Sequence, residues 1–220
     1  MTIGLPGIDR LPNLDRAPAG ERGITIGDFL VPIRVSDRLG VRVRHLALIL
    51  LGALLIALGA QVSFVIPGTP VPVTGQTFGV LVAGGALGFR RGIASAVLYV
   101  ALGIVGLPLF ALGGTGPSVL FGVLGGYLVG FVLAAAIVGR LAELGWDRNL
   151  AGSIGAMILG EVAIYAVAVP WLAVAGNLSI VDAVAKGLTP FLLGDAIKML
   201  LAAGAFPVAW WIVGRRPGDR

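Results

Sequence analysis

The sequence predicts an all-α membrane protein with six transmembrane helices and both termini in the cytoplasm. Three observations support this prediction. First, 57% of the 220 residues are hydrophobic and 12% are charged, whereas a soluble domain has about 45–50% apolar and about 25% charged residues. Second, the chain contains six apolar runs. Third, arginines occur before the first run, after the last run, and in every second connection between runs. A chain this apolar, with a mean hydropathy of +0.99, has lipid around most of its surface.

Composition excludes several kinds of site. The chain has no cysteine, which excludes disulfides and thiolate metal sites, and its one histidine, His45, leaves no histidine-based metal cluster or Ser/His triad. The net charge of +5 is scattered between apolar runs, which indicates membrane topology and not nucleic-acid binding. The glycine loop at residues 113–116 lacks a following Lys-Ser or Lys-Thr, so it is not a phosphate-binding loop. We therefore expect neither an enzyme nor a cofactor.

The N-terminal residues 1–44 are polar, with prolines and mixed charges, and lack the roughly 7–15-residue apolar core of a signal peptide. We interpret them as a cytoplasmic tail with a short interfacial segment around residues 24–33. A transmembrane domain over residues 45–214 and a cytoplasmic tail over residues 215–220 complete the predicted organisation. The apolar runs lie at residues 46–66, 77–89, 92–111, 118–142, 150–175 and 188–213.

The second and third runs differ from the others. A spanning helix needs about 20 apolar residues, which four of the six runs reach easily. The run at 77–89 is short, and the run at 92–111 contains Gly103, Gly106 and Pro108. Short or Gly/Pro-interrupted segments in a transporter tend to mark its binding site.

The arginines predict the orientation. Arg90 and Arg91 lie between the second and third runs, and Arg140 and Arg148 lie around the connection of the fourth and fifth. Other arginines precede the first run and follow the sixth. The remaining connections contain no arginine, namely residues 67–76, 112–117 and 176–187. Six spans with both termini inside thus place every arginine on one side, which the positive-inside rule makes cytoplasmic. The outer loops are rich in Gly and Pro and are suited to cover a cavity.

Two charges lie within the last apolar run. Asp195 and Lys198 are predicted one to three turns inside the outer boundary and share one helix face at i, i+3. A charge at the bilayer centre costs about 2.5–3.5 kcal/mol, so a pair that faces lipid is disfavoured. One interpretation is an ion pair that packs the helix against its neighbours. The other is a substrate site, where the carboxylate accepts N–H bonds and the ammonium donates to a carbonyl or carboxylate.

The stretch around these charges, Gly194-Asp195-Ala196-Ile197-Lys198, resembles the Gly-Asp-x-x-Lys motif of the BioY biotin transporters. These are the substrate-binding S components of energy-coupling factor (ECF) transporters. The resemblance covers about residues 46–213, in the same order and spacing. Further matching segments are Val71-Pro72-Val73-Thr74-Gly75-Gln76-Thr77, Gly106-Leu107-Pro108, Gly125-Gly126-Tyr127-Leu128, and Tyr165 followed by Pro170-Trp171-Leu172.

The resemblance implies high-affinity binding of biotin and its uptake across the cytoplasmic membrane of a prokaryote. It implies partners in the form of a transmembrane coupling subunit and ATP-binding cassette ATPases, and places Asp195 and Lys198 in the pocket. Solitary transport, or an S component for a related small vitamin, are the alternatives. The sequence departs from the family at Gly122-Val123-Leu124, where many relatives have Gly-Pro-Thr. No outer arginine is available for the valerate carboxylate, so Lys198, Lys186 or the backbone of residues 113–116 must hold it.

Other polar residues have two interpretations each. Thr74 and Gln76 either cap the second helix or line the pocket. Tyr127, Tyr165 and Trp171 either stack on the bicyclic ring or form an interfacial belt, and the belt is favoured for Trp171.

Two further features of the helices are ambiguous. Glu161, in the middle of the fifth run, pairs with Lys198, is protonated, or bonds to another helix. Ala53 and Ala57 form a small-residue face that packs internally or, by the resemblance, contacts the coupling subunit. A membrane-embedded enzyme using Glu161, Asp195 and Lys198 is disfavoured because no nucleophile–base pair is present. A scaffold role would make the Asp–Lys pair purely structural.

Overall fold

The computed structural model describes residues 25–30 and 38–213, and these residues form a helical bundle. Three short 3-10 helices, Ala111–Gly113, Trp146–Arg148 and Thr189–Phe191, occupy connections. A two-stranded antiparallel hairpin joins β1 (Ser63–Phe64) to β2 (Val73–Thr74), with Ser63 opposite Thr74. The α-helices are α1 (Gly27–Leu30), α2 (Arg38–Gln61), α3 (Gln76–Val105), α4 (Pro117–Phe121), α5 (Gly125–Glu143), α6 (Leu150–Ala175), α7 (Ile180–Gly187) and α8 (Leu192–Val213).

Helices of the length and hydropathy needed to cross a membrane account for most of the fold. Within residues 25–30 and 38–213 there are five such segments. They are Arg42–Gln61, Gln76–Val105, Gly125–Glu143, Leu150–Ala175 and Ile180–Ile212. The predicted second and third runs both fall within α3. The predicted outer connection at 176–187 holds α7, which begins where Ser179 Oγ accepts a hydrogen bond of 3.1 Å from the Asp182 backbone N–H.

The chain reverses direction within α3, at Gly88. This residue has φ 82° and ψ 179°, which is not helical and which residues with a Cβ rarely adopt. Gln76 Nε2 donates a 2.6 Å hydrogen bond to the Tyr99 hydroxyl, although 23 residues separate them. A Cβ placed on Gly92 would lie 3.0 Å from the Cα of Gly84. Residues 76–87 and 89–105 therefore lie side by side and run in opposite directions.

Small residues bring the helices into close contact around α3. A Cβ on Gly52 of α2 would lie 2.4 Å from Ser95 Oγ, and one on Gly139 of α5 would lie 2.6 Å from the Gly88 carbonyl carbon. Such close approach is how membrane helices associate, because lipid offers no hydrophobic drive for their packing. The outer side of α2 instead exposes large apolar side chains, among them Leu46, Leu50, Leu54 and Leu58.

Ala53 and Ala57 lie inside the bundle. They are 4% and 6% exposed and belong to the main hydrophobic core, beside Ile56 and Val80. A buried side chain cannot contact a partner on the bundle's surface. The structure therefore corrects the expectation that these two alanines form a docking face, and the internal-packing alternative describes their positions.

The arginines collect at one end of the bundle, which we call the arginine end. Asp28 of α1 accepts hydrogen bonds from Arg44 Nη2 at 3.3 Å and Arg91 Nη2 at 2.8 Å. At the same end, the Arg148 guanidinium lies 4.5 Å from the centre of the Trp210 ring. The opposite end, which we call the loop end, carries the β-hairpin, the loop after α3 and helix α7. The arginines with described side chains are Arg42, Arg44, Arg90, Arg91, Arg140 and Arg148.

A buried carboxylate connects α8 to the turn between α5 and α6 at the arginine end. Asp147, 3% exposed, accepts a 2.6 Å hydrogen bond from Trp210 Nε1. Burial raises the pKa of Asp147 to about 6, although the Trp210 hydrogen bond and the Arg148 charge act in the opposite direction.

The folded unit begins before the predicted boundary at residue 45. Thr25 and Ile26 are buried, α1 packs on α3, and α2 starts at Arg38. Residues 25–30 thus belong to the bundle and not to a separate tail. The rest of the predicted N-terminal tail, residues 1–24 and 31–37, and the predicted C-terminal tail lie outside the described residues.

Candidate functional site

A cavity at the loop end is enclosed by the β-hairpin and helices α3, α5, α6 and α8. Its cavity volume is about 40 Å³, well below the roughly 300–1,000 Å³ that is usual for small-ligand sites, so the side chains that line it must move apart to admit a small organic ligand. One end of the lining is polar and the rest is apolar. The apolar lining residues are Val71, Pro72, Phe110, Ala111, Val119, Leu124, Leu128, Phe131 and Phe191.

Asp195 and Lys198 form an ion pair in the wall of this cavity. Lys198 Nζ lies 2.6 Å from Asp195 Oδ1, and the two side chains are 19% and 7% exposed, respectively. Both belong to the first two turns of α8, where the i, i+3 spacing places them on one face. They face the interior of the protein and not lipid, as the cost of a lipid-exposed charge requires.

Residues from β2, α3 and α6 complete the hydrogen bonds of this pair. Besides Asp195, Lys198 Nζ donates to the Thr74 carbonyl at 2.8 Å and to Thr77 Oγ1 at 3.0 Å. Thr77 Oγ1 donates to Asp195 Oδ1 at 3.2 Å, and the Tyr165 hydroxyl donates to Asp195 Oδ2. An ammonium has three donors, and here each has an acceptor, while both carboxylate oxygens accept. The polar groups around the ion pair therefore form a fully paired network.

Thr77 is a member of this network that sequence reasoning did not select. It is 7% exposed and lies in the first turn of α3, three residues after Thr74. Thr74 lies in β2, before α3 begins, so the spacing of the two threonines carries no helix-face signal.

Thr74 and Gln76 both line the cavity. Thr74 Oγ1 accepts a 3.2 Å hydrogen bond from the backbone N–H of Gln76, but the N-cap of α3 is Gly75, and no side chain makes a cap hydrogen bond there. The Gln76 side chain is held by Tyr99, whose hydroxyl donates in turn to the Leu109 carbonyl at 3.3 Å.

Tyr127 and Tyr165 meet edge to face inside the cavity, with ring centroids 6.3 Å apart. The Tyr127 hydroxyl donates to the Gly187 carbonyl at 2.5 Å, which ties α5 to the end of α7. Two glycines before Tyr127 allow α5 to begin this close to its neighbours. A Cβ on Gly125 would lie 1.7 Å from the Leu120 carbonyl oxygen, and one on Gly126 would lie 2.4 Å from Trp171 Cβ.

Trp171 is the one predicted ligand contact that does not line the cavity. Its Nε1 donates to the Gly122 carbonyl at 3.0 Å, and its side chain packs against Gly125 and Gly126. Trp171 therefore supports the loop before α5 from outside. The structure brings the other six predicted ligand contacts together, namely Asp195, Lys198, Thr74, Gln76, Tyr127 and Tyr165.

The three groups considered for a carboxylate ligand differ in position. Lys198 lines the cavity, whereas Lys186 lies on α7 and residues 113–116 form a loop outside the lining. Within the described residues, no group of three His, Cys, Asp or Glu side chains is arranged to hold a metal ion.

Glu161 lies behind the ion pair, in a separate groove between α6 and the α7–α8 segment. This groove has a volume of about 620 Å³ and is lined mainly by apolar residues, with Glu161, Tyr165 and Asp195 as its polar members. Both carboxyl oxygens of Glu161 are buried and have no hydrogen-bond partner among the described residues. Glu161 is not part of the cavity wall.

Comparison with known proteins identifies relatives of the whole bundle. A sequence model described as the BioY family matches residues 34–215. A biotin transporter BioY of Thermotoga maritima is 40% identical over 152 residues, which cover 68% of this chain and 85% of that protein. A biotin transporter BioY of Rhizobium etli is 33% identical over 161 residues, covering 70% and 86%. A crystal structure of the S-component for biotin from an ECF-type ABC transporter superposes with a TM-score of 0.72 and 25% identity, covering 79% of this chain and 94% of that one.

Proposed function

Because the chain belongs to the BioY family, whose model matches residues 34–215, we propose that it binds biotin and serves its uptake as the substrate-binding component of an ECF transporter. The observation that carries this proposal is the buried Asp195–Lys198 pair in the wall of the loop-end cavity. The named relatives are transporters, and the chain is accordingly a transport protein and not an enzyme.

The two charges suit the polar ring of biotin. The ureido group offers two N–H donors and one carbonyl, which match a carboxylate acceptor and an ammonium donor. Hydrogen bonds to charged groups are about twice as strong as neutral ones, and they fix the orientation of the ring. Tyr127 and Tyr165 provide aromatic faces and edges beside that ring, and the apolar lining accommodates the hydrocarbon tail.

Biotin must exchange hydrogen bonds within the network and cannot simply add to it. Asp195 already accepts from Thr77 and Tyr165, and Lys198 already donates to Thr74. Each N–H or carbonyl of the ureido group replaces one of these partners, and the displaced hydroxyls remain close enough to bond to the ligand. The net gain per bond is then about 0.5–1.5 kcal/mol, or about 1.5–3 kcal/mol where a charge takes part.

For the orientation we infer six spans, with residues 76–87 and 89–105 as two of them and both termini in the cytoplasm. The collection of arginines at one end supports this arrangement. The cavity at the loop end then faces outward, and the β-hairpin and the loop at 106–118 flank its entrance. Because no nucleotide-binding motif occurs in the sequence, the ATPases and the coupling subunit are separate chains.

Titration calorimetry with biotin tests the assignment of the site. We expect tight binding by the purified protein in detergent, and its loss in Asp195→Asn and Lys198→Ala. Asp182→Asn and Lys186→Ala are matched controls, because they remove the same charges from α7 at the same end but outside the cavity. Wild-type affinity in Asp195→Asn would contradict the ring contact, and absent binding by the wild type would favour another small ligand or a scaffold role.

The absence of cysteine permits a direct test of orientation. Single-cysteine variants Pro67→Cys at the loop end and Leu144→Cys at the arginine end both replace exposed residues. A membrane-impermeant maleimide added to intact cells should label the first and spare the second. The reverse pattern would overturn the orientation. Uptake assays with and without the coupling subunit and ATPases separate module-dependent from solitary transport.

A further inference from the structure

A second polar pocket lies at the arginine end, far from the cavity of the ion pair. Residues of α1, α2, α3 and α5 surround a cavity volume of about 290 Å³. Its lining combines cationic, anionic and neutral polar groups with two apolar side chains. The lining residues are Thr25, Asp28, His45, Ile49, Leu87, Arg90, Arg91 and Glu143.

Asp28, the first of the two carboxylates here, is fully engaged by protein donors. Its Oδ1 accepts from Arg44 and Arg91, and its Oδ2 accepts from the backbone N–H of Thr25 at 3.0 Å and from Thr25 Oγ1 at 3.2 Å. Burial alone would raise the pKa of Asp28, but the hydrogen bonds from Thr25 and Arg91 more than offset it, so the pKa lies below its ordinary value of 3.8. Asp28 is thus ionised and already neutralised.

Glu143, the second carboxylate, is engaged as well. Its Oε1 accepts a 2.9 Å hydrogen bond from the backbone N–H of Phe89, and its Oε2 accepts from Arg140 Nη1 at 3.1 Å. Neither acid therefore leaves a strong acceptor for the remaining donors of the pocket.

Several donors have no acceptor among the described residues. Arg90 is exposed and makes no ion pair there. Arg91 Nε donates to His45 Nδ1 at 3.0 Å, which assigns the imidazole proton to Nε2 and leaves that N–H as a donor. Arg44 Nε and Arg91 Nη1 are buried without a partner. Both carboxylates of the pocket are thus engaged, while Arg44, Arg90, Arg91 and the imidazole N–H keep donors that have no acceptor among the described residues.

The pocket also lies beside apolar surface. Val43, Leu46 and Leu50 of α2 are 64%, 60% and 56% exposed, and they begin at the level of His45. A ligand with an anionic head in the pocket and hydrocarbon chains along α2 would complement both surfaces. Basic pockets between helices at the cytoplasmic side of a membrane bind anionic lipid headgroups in this way.

We propose that this pocket binds an anionic phosphate group, as carried by the headgroup of a phospholipid, through Arg90 and His45 with Arg91 behind them. A soluble phosphate ester presents the same chemistry without the chains. The proposal concerns the arginine end alone and does not depend on biotin binding.

Native mass spectrometry of the full chain, released from a neutral detergent, tests the proposal. The probes are short-chain phosphatidylglycerol, diacylglycerol with the same chains, and glycerol phosphate. We expect one retained phosphatidylglycerol per chain and little diacylglycerol. Arg90→Gln should bind the phospholipid about fivefold more weakly, which is the loss expected for one arginine near an anionic headgroup. The double variant Arg90→Gln/His45→Leu should bind the phospholipid more weakly than Arg90→Gln alone.

Arg42→Gln is the matched control, because it removes the same charge at the same end from an exposed residue outside the pocket. We expect it to retain wild-type lipid affinity, and Arg90→Gln to retain biotin affinity. Equal retention of glycerol phosphate would assign the site to soluble phosphates. Three outcomes would overturn the proposal. They are equal retention of diacylglycerol, an equal loss of lipid affinity in Arg42→Gln and Arg90→Gln, and no retention of either phosphate probe.

Discussion

Replacement of Lys198 by methionine separates what the buried pair does for stability from what it does for binding. Methionine keeps most of the length of the side chain and removes the ammonium. The ammonium contacts Asp195 at 2.6 Å, the Thr74 carbonyl at 2.8 Å and Thr77 Oγ1 at 3.0 Å. Lys198→Met therefore removes three partners in one step, and Asp195 is left with hydroxyl donors only.

The expected loss follows from the burial of Asp195. Its side chain is 7% exposed, and an uncompensated buried charge of this kind costs about 3–5 kcal/mol in the free energy of unfolding. The double variant Asp195→Leu/Lys198→Met removes both charges. It should lose only about 1–2 kcal/mol, because the hydroxyl of Tyr165 and the carbonyl of Thr74 lose partners but no charge is left unpaired.

Denaturant titration in mixed micelles, followed by tryptophan fluorescence, measures these free energies, and calorimetry measures biotin binding on the same samples. Both variants should fail to bind biotin, and the double variant should be the more stable of the two. A double variant as unstable as Lys198→Met would refute the reasoning, since packing and not charge would then explain the loss. A fully stable Lys198→Met would show that Asp195 is solvated.

Three further perturbations test other parts of the bundle by thermal unfolding. Gly88→Ala should destabilise the protein by at least about 1 kcal/mol, because φ is 82° and a Cβ would lie 2.9 Å from neighbouring side-chain atoms. The control is Gly204→Ala on α8, where a Cβ meets open space, and it should be neutral or stabilising. The pKa of Asp147 is raised from 3.8 to about 6, so the folded state binds this proton more tightly. The contribution of Asp147 to stability should be greatest below pH 4 and decline by about 3 kcal/mol in all as the pH rises through 6. Asp147→Asn should lack this component, and identical pH profiles of the two proteins would contradict the reasoning. Glu161→Leu should keep biotin affinity and equal or exceed wild-type stability, since it removes an unpartnered buried carboxyl; a loss above about 1 kcal/mol would reveal a partner.

The position of the site could be predicted from the sequence because charges are rare in apolar runs. Asp195 and Lys198 stand out for that reason, and their i, i+3 spacing predicts that they share one helix face. Thr77 did not stand out, because a threonine in a membrane helix is common and its partner Lys198 is 121 residues away. Partners that meet only through the tertiary fold leave no local signal in the sequence.

The direction in which Ala53 and Ala57 point could not be predicted. In a soluble helix the polar side marks the surface, but lipid is as apolar as a protein core, so both sides of α2 are apolar. The small-residue spacing indicates a close contact without saying with what. The structure shows that the contact is inside the bundle. Trp171 was ambiguous for a related reason, because an aromatic near a helix end suits both an interfacial belt and a loop support.

The complete pairing of Asp195 and Lys198 has a consequence for what can enter the cavity. Hydroxyl donors from Thr77 and Tyr165 bond to Asp195, and the Thr74 carbonyl bonds to Lys198. The protein's own groups therefore compete with any ligand for both charges. A molecule that supplies only some of the matching donors and acceptors leaves a buried group unpaired, and the side chains of the cavity thus set a threshold that a ligand must exceed.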